Sequence, residues 1–165
     1  FYQIFENKKI LIISSHKDTI DYQIKNKNYL KVFKYKIFSE NTQLYTYRPV
    51  IQNAGNNDGQ SFDIHLNKMK NDLKSLVDTF DFDIALVSCG GFGMLVCNYI
   101  FSKLNKSCIY VGGVLQLYFG IYGKRWLTSD SSVGNIKDHF NEYWTKVLDS
   151  DKPKDLQKVE NGCYW

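Results

Sequence analysis

Residues 82–89 read FDIALVSC and run directly into Gly90-Gly91-Phe92-Gly93, and this junction decides the fold. Ile84 to Val87 is an unbroken apolar run, too short for a helix and lacking the alternation of a half-exposed strand. Runs of this kind belong to central strands of parallel sheets, which are covered on both faces. The glycines close the strand, and residues 92–104 (FGMLVCNYIFSKL) return as a largely apolar helix.

Outward from this junction the same order recurs. Downstream, residues 108–111 (CIYV) form a strand closed by Gly112-Gly113, and residues 114–122 begin a further helix. Upstream, Phe62, Leu66, Met69, Leu73, Leu76 and Val77 recur at helical spacing behind Ser61, which marks an amphipathic helix laid on one sheet face. Residues 9–15 (KILIISS) read as another buried strand, and the lysine-rich residues 18–35 as an exposed helix broken near residues 26–28. Residues 44–50 (LYTYRPV) alternate and end in proline, the mark of a strand near an edge. Residues 52–60 (QNAGNNDGQ) carry turn chemistry throughout. Residues 138–148 predict a last helix, and residues 149–165 a polar tail with an aromatic end. Strand, turn and helix in repeated order require right-handed crossovers. The expected fold is therefore α/β, a Rossmann-like three-layer sandwich with a mainly parallel sheet, in one domain over residues 1–148.

Composition narrows the classes. A chain of 165 residues, 44% hydrophobic and 16% aromatic, fills one core and is too short for two ordinary domains. Its 21 basic and 17 acidic residues leave a net charge of only +4, with the lysines dispersed, which argues against a nucleic-acid binder. Cys89, Cys97, Cys108 and Cys163 form no CxxC pair and read as reduced thiols. No apolar run is long enough to span a bilayer and no secretory leader opens the chain, so the expected compartment is cytoplasmic. The chain opens on Phe1 close to its first strand, as a piece of a longer protein would.

In open parallel sheets, ligands bind beyond the carboxyl ends of the strands, where helix N-termini present unpaired N–H groups. Both glycine turns fall at that edge. Ser88, Gly90, Gly91, Phe92 and Gly93 at the first, with Gly112, Gly113 and Gln116 at the second, are the candidate ligand-binding residues. The glycines admit a phosphate to the main chain or serve only tight turns and close helix packing; both readings stand. Gly91-Phe92-Gly93 begins a dinucleotide fingerprint, yet Val96 replaces its third glycine and the next strand ends in Gly112-Gly113 without an acid. NAD and FAD are thereby disfavoured, and no Walker sequence is present. Lys124, Arg125 and Trp126 offer two cations beside an aromatic plane, suited to a phosphate and a base or equally to a helix end. His16, directly after the first strand, faces the same edge and is the one weak candidate for catalysis. Asp58, Asp63, Asp130 and Asp138 form no metal-binding pattern, His65 and His139 lack a Cys or His partner in sequence, and no serine sits in a nucleophile elbow.

The stretch 83–126, with its strand, glycine turn and helix, then a strand ending in Gly-Gly, Gln116-Leu117-Tyr118-Phe119-Gly120-Ile121 and Gly123-Lys124-Arg125-Trp126, resembles the C-terminal part of a family of bacterial and large-virus proteins associated with surface-glycan synthesis. The ending Val159-Glu160-Asn161-Gly162-Cys163-Tyr164-Trp165 extends the resemblance and implies that Trp165 is the natural end. The family is similar in turn to glycosyltransferases of the GT-D fold, which are Rossmann-like and use nucleotide-sugar donors, with manganese or magnesium as the implied metal. The acidic donor motif of those enzymes has no counterpart here. The resemblance implies a glycosyltransferase-like domain binding a nucleotide sugar or other phosphorylated small molecule. The alternative is a non-catalytic nucleotide- or sugar-phosphate-binding module of a larger enzyme, and a third reading is an interaction domain with structural glycines.

Overall fold

The computed structural model describes residues 2–52, 54–127 and 135–165; Asp130 lies outside them. In chain order the regular elements are α1 (Tyr2–Phe5), β1 (Lys9–Ser14), α2 (Lys17–Lys25), β2 (Gln43–Tyr47), α3 (Phe62–Phe80), β3 (Ile84–Ser88), α4 (Gly93–Leu104) and β4 (Ser107–Tyr110). The four strands make one sheet in the order β2-β1-β3-β4, every pair parallel. This is the Rossmann-like α/β arrangement, with β3 central and β2 at an edge as the sequence pattern requires.

Burial on both faces explains the unbroken apolar strands. Ile10, Ile12 and Leu86 pack with Ile20 of α2 and with Phe5, Phe38 and Phe119 on one face. Leu11, Ile13, Ala85 and Val87 meet Leu66, Met69 and Leu73 of α3 and Val96 and Ile100 of α4 on the other. Two apolar layers thus sandwich the sheet, and nonpolar area removed from water holds them there. Ser61 caps α3, its Oγ accepting from the Ile64 N–H at 3.4 Å. Lys27 in a left-handed conformation breaks the segment after α2, and only a single 3-10 turn, Asn28–Leu30, follows.

The last third of the chain departs from expectation. Residues 114–122 do not begin an α-helix: a 3-10 helix, Gly112–Phe119, is ended by Gly120 at φ 66° and leads to a short strand, β5 (Ile121–Tyr122). A side chain at Gly120 would overlap Val32, so packing and backbone geometry together demand the stop. Residues 138–148 are likewise no helix. A 3-10 turn, Ile136–His139, precedes β6 (Thr145–Lys146), which pairs with β5. The aromatic spacing at Phe140, Tyr143 and Trp144 imitates a helix face; the rings instead cover Val32 and Leu117, and Trp144 Nε1 donates to the Val32 carbonyl at 3.1 Å.

The polar tail is not a free linker. Asp151, 3% exposed, accepts from the N–H groups of Asp18 (3.2 Å) and Thr19 (2.7 Å), from Thr19 Oγ1 (2.6 Å) and from Arg48 Nη2 (2.6 Å). A carboxylate from the far end of the sequence therefore caps the start of α2, which its own N-cap residue, His16, leaves without a side-chain bond.

Candidate functional site

A cavity of about 570 Å³ opens at the carboxyl ends of β1, β3 and β4. Sheet register puts its parts together: Ser14 pairs with Ser88, so His16 and Gly90, each two residues further on, emerge side by side, and Val87 pairs with Tyr110 ahead of Gly112. The walls are completed by residues 49–52 after β2, by Phe62 at the start of α3, and by Val159, Glu160, Tyr164 and Trp165.

Of the sequence candidates, Ser88, Gly90, Gly91, Phe92, Gly112, Gly113, Gln116 and His16 line this one cavity. The glycines differ in kind. A side-chain carbon at Gly90 or Gly91 would meet nothing within 4 Å, and Gly90 holds φ 53°. The turn uses the N–H groups of Phe92 and Gly93, bonded to the carbonyls of Cys89 and Gly90, so those of Gly90 and Gly91 have no partner within it. Gly93 instead lies under the Tyr110 ring, which a side chain there would overlap.

Lys124, Arg125, Trp126 and Gly93 are not in the lining. Gly123 is pressed against the backbone of Cys163 and Tyr164, and the N–H groups of Lys124 and Arg125 donate to the carbonyls of Trp165 (3.4 Å) and Cys163 (3.0 Å). Arg125 stacks on Tyr164, 4.7 Å from the ring centroid, and pairs with Glu160 at 3.8 Å. Its guanidinium still lies beside the rim, with Nη1 3.6 Å from where a side-chain carbon on Gly113 would be. Trp126 joins the aromatic cluster around Val32.

The chemistry of the cavity is close to uncharged. Among its described lining residues there is no lysine or arginine, and Glu160 is the only one with a carboxylate side chain. His16 is 6% exposed, and burial pushes its imidazole down to about 4; Asp151 opposes the fall and Arg48 adds to it. The ring is neutral at pH 7, and its Nε2 has no hydrogen-bond partner. Gln116, 2% exposed, donates from Nε2 to the Ile121 carbonyl at 3.3 Å, while its Oε1 is buried without a partner; so is Trp165 Nε1. Burial pushes the Cys89 thiol up to about 12, so it is no nucleophile at neutral pH. All four cysteines are free thiols.

Away from the cavity, His65 Nε2 lies 3.0 Å from Asp58 Oδ1, and His139 packs edge-on against Phe33. No group of three or more His, Cys, Asp or Glu comes together among the described residues. No described helix is long and apolar enough to cross a membrane.

Sequence reasoning passed over Glu160, Tyr164 and Trp165 as walls, and Asp151 and Arg48 as the pair that ties the tail to the start of α2. The signal available was the dense aromatic ending Cys163-Tyr164-Trp165, unusual after a polar stretch. No family model, no curated protein and no solved structure matches this chain.

Proposed function

We propose that the cavity binds a nucleotide sugar or a closely related phosphorylated small molecule, as the donor-binding domain of a glycosyltransferase-like protein of cytoplasmic glycan synthesis. The observation that carries this reading is the open turn at Gly90 and Gly91, which lines one sheet-edge cavity together with His16 and Gln116. The open turn at Gly90 and Gly91 offers main-chain N–H groups to a diphosphate, with Arg125 beside the rim at Gly113. Tyr110 and Phe62, 45% and 46% exposed, give aromatic surface for a base. In a transfer reaction the same N–H groups and guanidinium would stabilise charge on the departing diphosphate.

One observation favours the quieter alternative of binding without turnover. His16 and Cys89 are both held neutral by burial, and Glu160 is engaged by Tyr164 Oη at 3.1 Å and by Arg125. No described lining side chain is poised as a strong base.

A thermal-shift screen of nucleoside diphosphates and their sugars, with and without magnesium or manganese, tests the reading. A ligand at 100 times its Kd stabilises by about 2.7 kcal/mol, or about 5–10 °C for a domain of this size. Gly91→Val fills the open turn and abolishes the shift. An unmoved melting temperature with every phosphorylated ligand would return the cavity to a structural role.

A further inference from the structure

The positive charge of the chain is concentrated in one segment. Lys25, Lys27, Lys31, Lys34 and Lys36 fall within residues 25–36, two to four residues apart, with no acidic residue among them. The remaining 16 basic residues face 17 acidic ones, so the net charge of +4 is a segment of +5 on a remainder of −1.

All five lysines are exposed. Tyr29, Leu30 and Val32, which stand between them, are buried, and the carbonyls of Lys31 and Val32 accept from Asn141 Nδ2 and Trp144 Nε1, each at 3.1 Å. The segment is thus pinned by its apolar residues and shows its lysines to solvent. Among the described residues only Lys36 of the five pairs with a carboxylate, that of Glu40 at 3.4 Å. Lys31 and Lys34 lie over the rings of Tyr143 (4.8 Å) and Tyr35 (5.7 Å), and Tyr35 is itself 80% exposed.

The segment joins the end of α2 to the start of β2. Lys9 is level with Gln43 in the parallel pair β1 and β2, so its ends lie at the amino edge of the sheet, opposite the edge where the cavity opens.

Such a surface attracts polyanions, and its residue types choose among them. It contains no arginine, whose rigid fork suits the fixed phosphates of a nucleic-acid backbone. Lysines are point charges that need no fixed geometry and serve a fluid layer of anionic headgroups. An exposed tyrosine suits the same boundary, its ring among the headgroups and its hydroxyl in water. We propose that residues 25–36 form a docking surface for an anionic lipid bilayer, held by the lysines and by Tyr35. This holds whatever the cavity binds.

Co-sedimentation with sucrose-loaded vesicles tests it, using phosphatidylcholine alone and a seven-to-three mixture of phosphatidylcholine and phosphatidylglycerol. The wild-type chain is expected to sediment with the mixed vesicles at about 0.1 M salt, to leave them at about 0.5 M, where screening shortens to about 4 Å, and to ignore phosphatidylcholine. Lys27→Asn with Lys34→Gln weakens binding tenfold or more; asparagine tolerates the left-handed backbone at position 27. Lys74→Gln with Lys103→Gln removes the same charge from exposed positions on α3 and α4 and stays within twofold. Equal loss in the two double variants reduces the effect to net charge and overturns the proposal. Binding that survives 0.5 M salt, or no binding to the mixed vesicles, overturns it as well. Displacement from the mixed vesicles by oligothymidylate at matched phosphate concentration assigns the lysines to nucleic acid and also overturns it.

Discussion

The glycine turns after β3 and β4 look alike in sequence and do opposite things. After β3, Gly90 and Gly91 stand over open space, so their missing side chains leave room for something from outside. After β4 the chain itself comes into contact: Gly113 has the Tyr164 ring and the Arg125 guanidinium at van der Waals distance, 3.5 and 3.6 Å from its would-be side chain, and further on, after β5, Gly123 carries the backbone of residues 163–164. One turn is empty for access and the other is occupied for support. Glycine alone does not distinguish the two; what lies beyond its Cα does.

The sharpest way to break this comparison is Gly123→Ala. Gly123 has an ordinary extended backbone, φ −109° and ψ −177°, so the cost is purely the collision with the Cys163 and Tyr164 main chain. We expect a loss of about 3 kcal/mol, the upper end of what over-packing costs, and a melting temperature lower by about 6–12 °C. A near-neutral result would mean that residues 159–165 are not held against this turn.

Next comes a pH effect on the cavity floor. Unfolded, His16 takes a proton near its ordinary 6.5; folded, only near 4. Between those values the unfolded chain binds more protons, so His16 makes stability fall as pH drops from 6.5 towards 4 and leaves it level above 6.5. The loss reaches up to about 3 kcal/mol at the acid end. Urea midpoints at pH 7 and pH 4.5 should differ clearly for the wild-type chain and much less for His16→Asn.

The smallest effects sharpen the contrast within one turn. Gly93→Ala, under the Tyr110 ring, should cost about 1–3 kcal/mol as the ring is displaced. Gly91→Ala, in open space with an ordinary φ, should change stability by less than about 0.5 kcal/mol. Equal losses at both positions, measured by chemical denaturation, would erase the distinction between open and packed glycines.

What the sequence disclosed follows the same division. Strands buried on two faces and a helix with a 3.6-residue stripe are written in neighbouring residues, so β1, β3 and α3 could be read directly, together with the edge where the cavity opens. The segment after Gly112 is shaped by partners far away in sequence. Trp144 answers to Val32, Gly120 to Val32 and Gln23, and Asp151 to Thr19 and Arg48. Such pairings leave no local period, and the helix expected over residues 138–148 gives way to tertiary packing. For the same reason the part that Lys124 and Arg125 play in holding the wall, through N–H groups bonded to the carbonyls of Trp165 and Cys163, left no local signal.

Asp151 gives the site an order of assembly. Its carboxylate joins the start of α2 to Arg48 after β2, and the chain that follows it supplies the last wall of the cavity. During synthesis the sheet and α4 are made before Asp151, so a nascent chain carries a complete sheet edge, with Thr19 and Arg48 still waiting for that carboxylate, before the last wall of the cavity exists.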